Sequence, residues 1–446
     1  RLALTLPSRD EGSEAVLTGS LNGAALTLAG SLTLKDDDLD ANLDLSLGTI
    51  DGKVHGSVND LMDGGDADLS LDLKTPDLKN AVQMVVPVLS LRVAQLLDGD
   101  ATLSAKLRGR WDHDLRLEHV EITAASALPN ALMEASDKLA ERMCQKQGDA
   151  SGSATDTTSD ADAELHLAAS GSFSLVRPEQ RDSPSSSDFQ VLLKTEHLGK
   201  LVCLYRGSIP FPATAQAQGT LTGSLGEGFR IDDVTIDATG KHGNLQAKGE
   251  LVKPLSPDGS WEPWKFFFDA KTSTNELGPF LRSYNLPLAA TLLHTGRASA
   301  TARVHGRPGD THVTEIDLNI NADPLSLKAT GTIGPLGKGK AQFNLPFTVT
   351  ADDIAALVAR FDRNLPLTAK GEAHGVLTGQ KPNLHVTEID LDINADPVSL
   401  KATGTIGPLG KQAKFNLPFT ATADDIAALA APFDLDLPLN AKGEVK

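Results

Sequence analysis

Residues 312–338 read HVTEIDLNINADPLSLKATGTIGPLGK, and residues 385–411 read HVTEIDLDINADPVSLKATGTIGPLGK, 73 positions later, with only Asn319/Asp392 and Leu325/Val398 changed. The copying continues downstream, where FNLPFTVTADDIAALVARFDRNLPLTAKGE (343–372) is matched by FNLPFTATADDIAALAAPFDLDLPLNAKGE (415–444) after a one-residue deletion. The chain is internally repeated, and units that cannot bury an apolar face alone must stack on their neighbours. Fainter copies lie upstream. An apolar-Pro-apolar element stands at Ile209-Pro210-Phe211, Leu286-Pro287-Leu288, Leu365-Pro366-Leu367 and Leu437-Pro438-Leu439. A second marker, apolar-x-x-apolar-x-apolar, stands at Leu117/Val120/Ile122, Ile231/Val234/Ile236, Val313/Ile316/Leu318 and Val386/Ile389/Leu391.

Within one repeat the apolar period is two, the signature of a strand with one greasy face. Ile316, Leu318, Ile320 and Ala322 alternate with Asp317, Asn319, Asn321 and Asp323. Asp323-Pro324 reads as a turn. Leu325, Leu327, Ala329, Gly331 and Ile333 resume the apolar side, and Gly334-Pro335-Leu336-Gly337 reads as the next turn. Phe343, Leu345, Phe347 and Val349 make a third row, and Leu367, Ala369, Gly371 and Ala373 a fourth. Between these two the period becomes helical, with Ile354, Leu357, Val358 and Phe361 on one face and Thr350 expected as N-cap. Thr422, Asp424, Asp425, Ile426, Leu429 and Phe433 repeat the device, and residues 271–288 carry a weaker version.

A helix is ~10 Å across and strands lie ~4.8 Å apart, so one short helix covers roughly two of about four strands. The apolar face left over must close as a sandwich or curl into a trough that holds something apolar. Aromatic residues are only 4% of the chain, so Leu, Ile, Val and Ala would line such a trough, which suits alkyl contents better than flat rings. The net charge of −18 opposes nucleic acid and an anionic membrane surface as partners. The most apolar stretch, residues 82–97, is broken by Pro87 and Arg92 and is too short to span a bilayer. The chain begins at Arg1, inside an apparent strand, and ends where the preceding unit would continue as HGVLTG; both ends read as cut from a longer protein.

Catalytic patterns do not emerge, and no enzymatic activity, cofactor or metal is expected. Cys144 and Cys203 lack metal-ligand spacing and fit either a disulfide or two free thiols. His113, His119, His312 and His385 read as solvated strand-end residues. GTIGPLGK (331–338) departs from the phosphate-loop spacing at Thr332 and Gly339 and reads as a strand connection. GGDADLSLD (64–72) has one copy only, and KDDDLD (35–40) reads as a solvated turn, calcium being remote for both. Residues 128–146 look helical. Residues 147–163 and 177–188 are polar loops, the first expected to be disordered and removable.

The unit running from T-A-D-D-I-A-A-L through F-D-x-x-L-P-L and A-K-G-E to V-T-E-I-D-L-x-I-x-A-D-P-x-S-L-K-A-T-G-T-I-G-P-L-G resembles the C-terminal repeats of the AsmA-like family, TamB-related bridge-like lipid transfer proteins of Gram-negative bacteria. The resemblance is strong over 310–446, fair over 189–310 and pattern-level before that. It implies a periplasmic protein held in the inner membrane by an N-terminal helix absent from this chain. It also implies a taco-like β-groove that carries phospholipid towards the outer membrane. The expected fold is mainly β, an elongated repeat sheet curled into a groove, with about one short amphipathic helix per ~75-residue unit. The expected division is 1–126 (degenerate β repeats), 127–188 (helical segment and polar insertion), 189–311 (middle β repeats), 312–384 (one repeat) and 385–446 (a truncated repeat). The expected groove lining is Ile316, Leu318, Ile320, Leu325, Leu327, Ile333, Phe343, Leu345 and Phe347, with Ile389, Leu391, Ile393, Leu400, Ile406, Phe415, Leu417 and Phe419 as their copies. The partners expected are a phospholipid or other acyl-chain lipid, both membranes, and membrane proteins at the groove ends. A second reading is an assembly platform for outer-membrane proteins, by addition of a strand to the sheet edge. A third, a polysaccharide-processing β-solenoid, would want exposed aromatics and clustered carboxylates.

Overall fold

The computed structural model describes residues 3–5, 13–85, 99–110, 114–127, 164–174, 187–196, 198, 213–224, 228–256, 260–283, 293, 296–336, 341–360, 369–380, 383–396, 398–409, 413–425 and 442–445. It is mainly β. The chain divides into two compact units, residues 1–236 with 252–262, and residues 237–251 with 263–446.

The first unit holds β1 (Ala3–Thr5), β2 (Ser13–Leu21), β3 (Ala24–Lys35), β4 (Asp38–Leu47), β5 (Ile50–Asn59), β6 (Asp66–Thr75), β7 (Gly99–Arg110), β8 (Arg116–Ala127), β9 (Glu164–Ser174), β10 (Ser187–Thr195) and β11 (Ala213–Ser224). Each pairs antiparallel with the next in sequence. β12 (Gly228–Gly240) and β13 (Gly243–Pro254) are divided between the units. The second unit continues with β14 (Lys265–Thr274), β15 (Arg297–Arg307), β16 (Asp310–Ala322), β17 (Leu325–Leu336), β18 (Gln342–Ala351), β19 (Lys370–Gln380), β20 (Asn383–Ala395), β21 (Val398–Gly407), β22 (Lys414–Asn416), β23 (Phe419–Ala423) and β24 (Gly443–Val445). Pairing is again antiparallel and sequential, with β22 and β23 sharing one place beside β21. Among the described residues neither run closes on itself. Tight turns join β2 to β3, β3 to β4, β4 to β5, β12 to β13, β15 to β16 and β16 to β17, and such two-residue links allow only antiparallel pairing.

Among the described residues three short α-helices interrupt the meander: α1 (Leu78–Val85) after β6, α2 (Leu277–Ser283) after β14 and α3 (Ile354–Ala359) after β18. The first two junctions are built alike. β6 and β14 end in a buried threonine, Thr75 or Thr274, whose hydroxyl accepts a hydrogen bond from the backbone two residues on, at Asp77 (3.2 Å) or Glu276 (3.0 Å). The first helical side chain then turns onto the sheet. Leu78 packs with Ala101, Ala124 and Leu167, and Leu277 with Ala298, Ile320, Ala322 and Leu325.

The apolar-x-x-apolar marker turns out to be a β-bulge. At Leu117/Val120, Val313/Ile316 and Val386/Ile389 the ladder slips by one residue. His119, Glu315 and Glu388, and Asp233 in the fourth copy, take a left-handed backbone with φ of 50°, 51°, 53° and 50°. The extra residue keeps both flanking apolar side chains on one face and adds local bend and twist. Glycines stand across from it. Gly331 and Gly404 stand opposite Ile316 and Ile389, and a Cβ on either would collide with the backbone carbonyl of Asn344 or Asn416.

Three local expectations are corrected. α3 is capped by Asp353, whose carboxylate accepts from Ala356 N at 2.9 Å; Thr350 instead lies within β18, paired with Ser326 and Glu372. Gly334-Pro335-Leu336 is not a turn, because Gly334 pairs with Gln342 and Leu336 with Thr311, so two neighbours carry β17 past the proline. Ser187 and Asp188 belong to β10; the Ser187 hydroxyl is buried and donates to Gly223 O at 2.6 Å. Asp323-Pro324 is the turn expected, as are Asp36 and Asp37 within KDDDLD. Outside the described residues lie the four apolar-Pro-apolar elements, the second-copy helix from Ile426, Cys144, Cys203, His113 and residues 86–97, 128–163 and 177–186.

Candidate apolar binding face

Register places the alternating apolar residues of the second unit in rows across the sheet. One row runs Ala298, Ile320, Leu327, Val349, Ala373, Leu391, Ala402, Phe419, from β15 to β23. Beside it runs Ala322, Leu325, Ala351, Gly371, Ile393, Leu400, Ala421. Leu318 stands opposite Ala329, which stands opposite Phe347. Ile333 faces Phe343, Leu345 faces Leu377, and Ile406 faces Phe415. Directly opposed Cβ atoms lie about 5 Å apart, so these side chains form one apolar surface. The bulges return Ile316 and Ile389 to it, opposite Gly331 and Gly404. Every lining residue expected from sequence therefore shares one face except Leu417, which is half-buried between β22 and β23 and outside both.

Among the described residues the face is covered at the strand ends, where α2 sits and where Ile354 of α3 lies over Gly371. Ala322 is 0% and Leu277 2% exposed where α2 sits on the strand ends. Away from the helix Leu318, Leu327, Ile333, Phe343, Leu345, Phe347, Leu391, Leu400 and Ile406 are each half-buried. Among the described residues no large side chain is fully buried, and the buried core is mostly alanine. A sandwich would fill its ~10 Å interior with large side chains from two inner faces, and that signature is missing. Phe415 and Phe419 differ from their first-copy counterparts, being 69% and 47% exposed.

The opposite face is polar and laced with ions. Arg303 bridges Asp269 (3.0 Å) and Glu315 (2.7 Å) there; in the first unit, by itself, Arg108 bridges Asp68 (3.2 Å) and Glu118 (3.5 Å). Hydrogen bonds to Asp269 and Asp68, followed by the surrounding carboxylate charge, raise both guanidinium pKa values above their ordinary level. In the first unit, a shallow concavity of about 680 Å³ is lined by Asp44, Lys53, Asp72 and Glu121 together with Ala29, Leu45, Leu73 and Leu103.

Among the described residues no helix is long and apolar enough to cross a membrane, and no three His, Cys, Asp or Glu side chains converge as metal ligands would. Composition could have exposed the bulges, because a two-residue gap inside strict alternation must either flip the face or bulge. No family model, no curated protein and no solved structure matches the chain.

Proposed function

We propose that this chain binds acyl-chain lipid along its apolar sheet face, as a segment of a groove that passes phospholipid between the two membranes of a Gram-negative envelope. The observation that carries the reading is the row from Ala298 to Phe419, continuous across the register and, among the described residues, half-exposed away from α2 and α3. Apolar burial is non-directional and scales with area at ~25 cal/mol per Å², so an alkyl chain gains from such rows without any single decisive residue. The sheet curls along its bulges into a taco-like trough, and one helix per unit covers one rim. The resemblance of the 312–446 repeats to AsmA-like proteins supports a periplasmic setting, a membrane anchor elsewhere in the parent protein, and a binding role without catalysis.

Mass spectrometry of organic extracts from the purified chain tests this directly, with co-purifying phospholipid as the expected result. Leu318→Asp puts a carboxylate on the face and should deplete bound lipid while the fold survives, because a half-exposed position lets water reach the charge. Asn319→Asp points to the polar side, is already present as Asp392, and should change nothing. A lipid-free extract, or full lipid content in Leu318→Asp, rejects the reading. The competing assembly role draws on the outer side of β22 and β23, where, among the described residues, β24 pairs with Ala421–Ala423. Capture of an extended peptide there by a lipid-free protein would favour it.

A further inference from the structure

The two copies of FNLPFT show one strand edge occupied and the other open. In β18 the outer side is paired along its length by β19, with Phe347 opposite Gly375, Pro346 opposite Val376 and Leu345 opposite Leu377. The same letters in β22 and β23 pair inward with β21, and among the described residues only Ala421–Ala423 have an outer partner. That partner, β24, adopts the register of β19. Gly443, Glu444 and Val445 stand opposite Ala423, Thr422 and Ala421 as Gly371, Glu372 and Ala373 stand opposite Ala351, Thr350 and Val349. Beyond them, from Thr420 to Phe415, the edge is open among the described residues, and Phe415 and Phe419 are exposed along it.

Three features say what would fill it. Pro418 O accepts from Thr403 N at 3.2 Å, so the proline's backbone is turned inward and its missing N–H costs the outer edge nothing. Alternation then turns the N–H and C=O groups of Leu417 and Phe419 outward, ready to pair with an added strand. The second feature is space. A Cβ on Gly375 would lie 2.9 Å from Phe347 Cζ, and the backbone at Gly375 is not left-handed, so the ring alone demands glycine there. The third is the apolar contact of Leu345 with the facing Leu377. We propose that the outer edge of β22 and β23 docks an extended strand of the pattern Gly-x-Leu, its glycine opposite Phe419 and its leucine opposite Leu417. Backbone pairing holds such a strand, and these two positions select it. The proposal deepens the edge-docking role named above and is independent of the acyl-chain reading of the face.

Fluorescence anisotropy of the full chain with the labelled, end-capped peptide KGEAHGVLTGQ, the sequence of β19, tests it. The peptide takes the place of the three residues of β24 and runs on to Phe415. Binding should be saturable. In β19 numbering, Gly375→Val in the peptide should weaken it by about tenfold or more, because the added side chain overpacks the contact with the ring. Leu377→Asp in the peptide should weaken it comparably, since it sets a carboxylate against Leu417. Both comparisons leave the protein unchanged, so neither depends on a variant folding. With the Phe419→Ala protein the penalty for the valine peptide should shrink to under about threefold, the ring it strikes being gone. Absence of saturable binding, or equal binding of the glycine and valine peptides, overturns the docking site. So does a valine penalty that persists in Phe419→Ala, or self-association of the chain that excludes the peptide, since the edge would then belong to a second copy. None of these outcomes bears on the lipid content of the protein, so the acyl-chain reading stands or falls separately.

Discussion

The repeats beginning at His312 and His385 share nearly every residue but not their burial. FNLPFT forms one unbroken strand in β18, with Pro346 paired opposite Val376, whereas the same letters split into β22 and β23 around Leu417-Pro418. β18 has β17 on one side and ten residues of β19 on the other. Among the described residues β22 pairs with β21 alone, and β23 pairs with β21 and with the three residues of β24. Phe343 and Phe347 are consequently half-buried, while Phe415 and Phe419 are exposed. A proline removes one ladder donor from a strand, and a partner on each side makes up for the loss in β18. Strand identity here belongs to the neighbours as much as to the sequence.

The sharpest way to break the comparison is at the glycines facing the bulges. Gly331→Val places a β-branched side chain at a φ of 129° and drives its Cβ into the Asn344 carbonyl, in a strand held from both sides. Gly404→Val does the same at a φ of 145° against Asn416, but β22 is a three-residue strand with room to yield. The first should cost about 3 kcal/mol or more and the second roughly half that. Denaturant melts together with amide exchange in β17 and β21 measure both. Equal costs would mean that the outer strand is as firmly held as the inner one.

Phe347→Ala and Phe419→Ala come next. Phe347 stands opposite Ala329 and Gly375, and its ring would touch any Cβ placed at Gly375. Its removal opens a gap among half-buried neighbours and should cost about 2 kcal/mol, whereas the exposed Phe419 should lose under ~1 kcal/mol. Chemical denaturation of the two variants decides, and a reversed order would contradict the exposure described for the second copy.

Much of this was legible in the alternation. Ile316 to Ala322 and Leu325 to Ile333 give strand, turn and face at once, because a one-residue slip would turn the apolar set to water. The apolar-x-x-apolar marker was visible too, but its meaning required knowing that the flanking residues share a face. Thr350 looked like an N-cap because threonine favours that place; pairing with β17 and β19 keeps it in the strand and hands the cap to Asp353. Gly334-Pro335 looked like a turn for its dipeptide, and long-range pairing again prevailed over local propensity. The exposure of Phe415 was not legible at all, since its letters equal those around Phe343.

The cap itself gives a smaller effect. Asp353→Ala removes the acceptor of the 2.9 Å bond from Ala356 N and a negative charge at the helix start, which should cost about 1 kcal/mol. Asp353→Asn should retain most of the stability. Thr350→Ala should not mimic it, because that hydroxyl bonds Ser326 within the sheet. Thermal melts of the three variants compare the cap with the residue that sequence favoured.

Arg303 should matter least, and the sister repeat says why. Its guanidinium joins Asp269 and the bulge residue Glu315, an arrangement that invites the idea that the ion pair holds the bulge. The position 73 residues later is Val376, yet Glu388 there adopts the same left-handed backbone, φ 53° against 51°. The bulge is therefore fixed by the register on both sides and the glycine opposite, and the arginine decorates it. Both carboxylates and the guanidinium are solvent-exposed, where screening and side-chain entropy offset most of the attraction. Arg303→Val should leave the melting temperature within experimental scatter at physiological salt, with any loss confined to low ionic strength. A substantial loss at ~0.15 M salt, accompanied by faster amide exchange at Glu315 and Ile316, would show that the first repeat depends on a charge its copy has dispensed with.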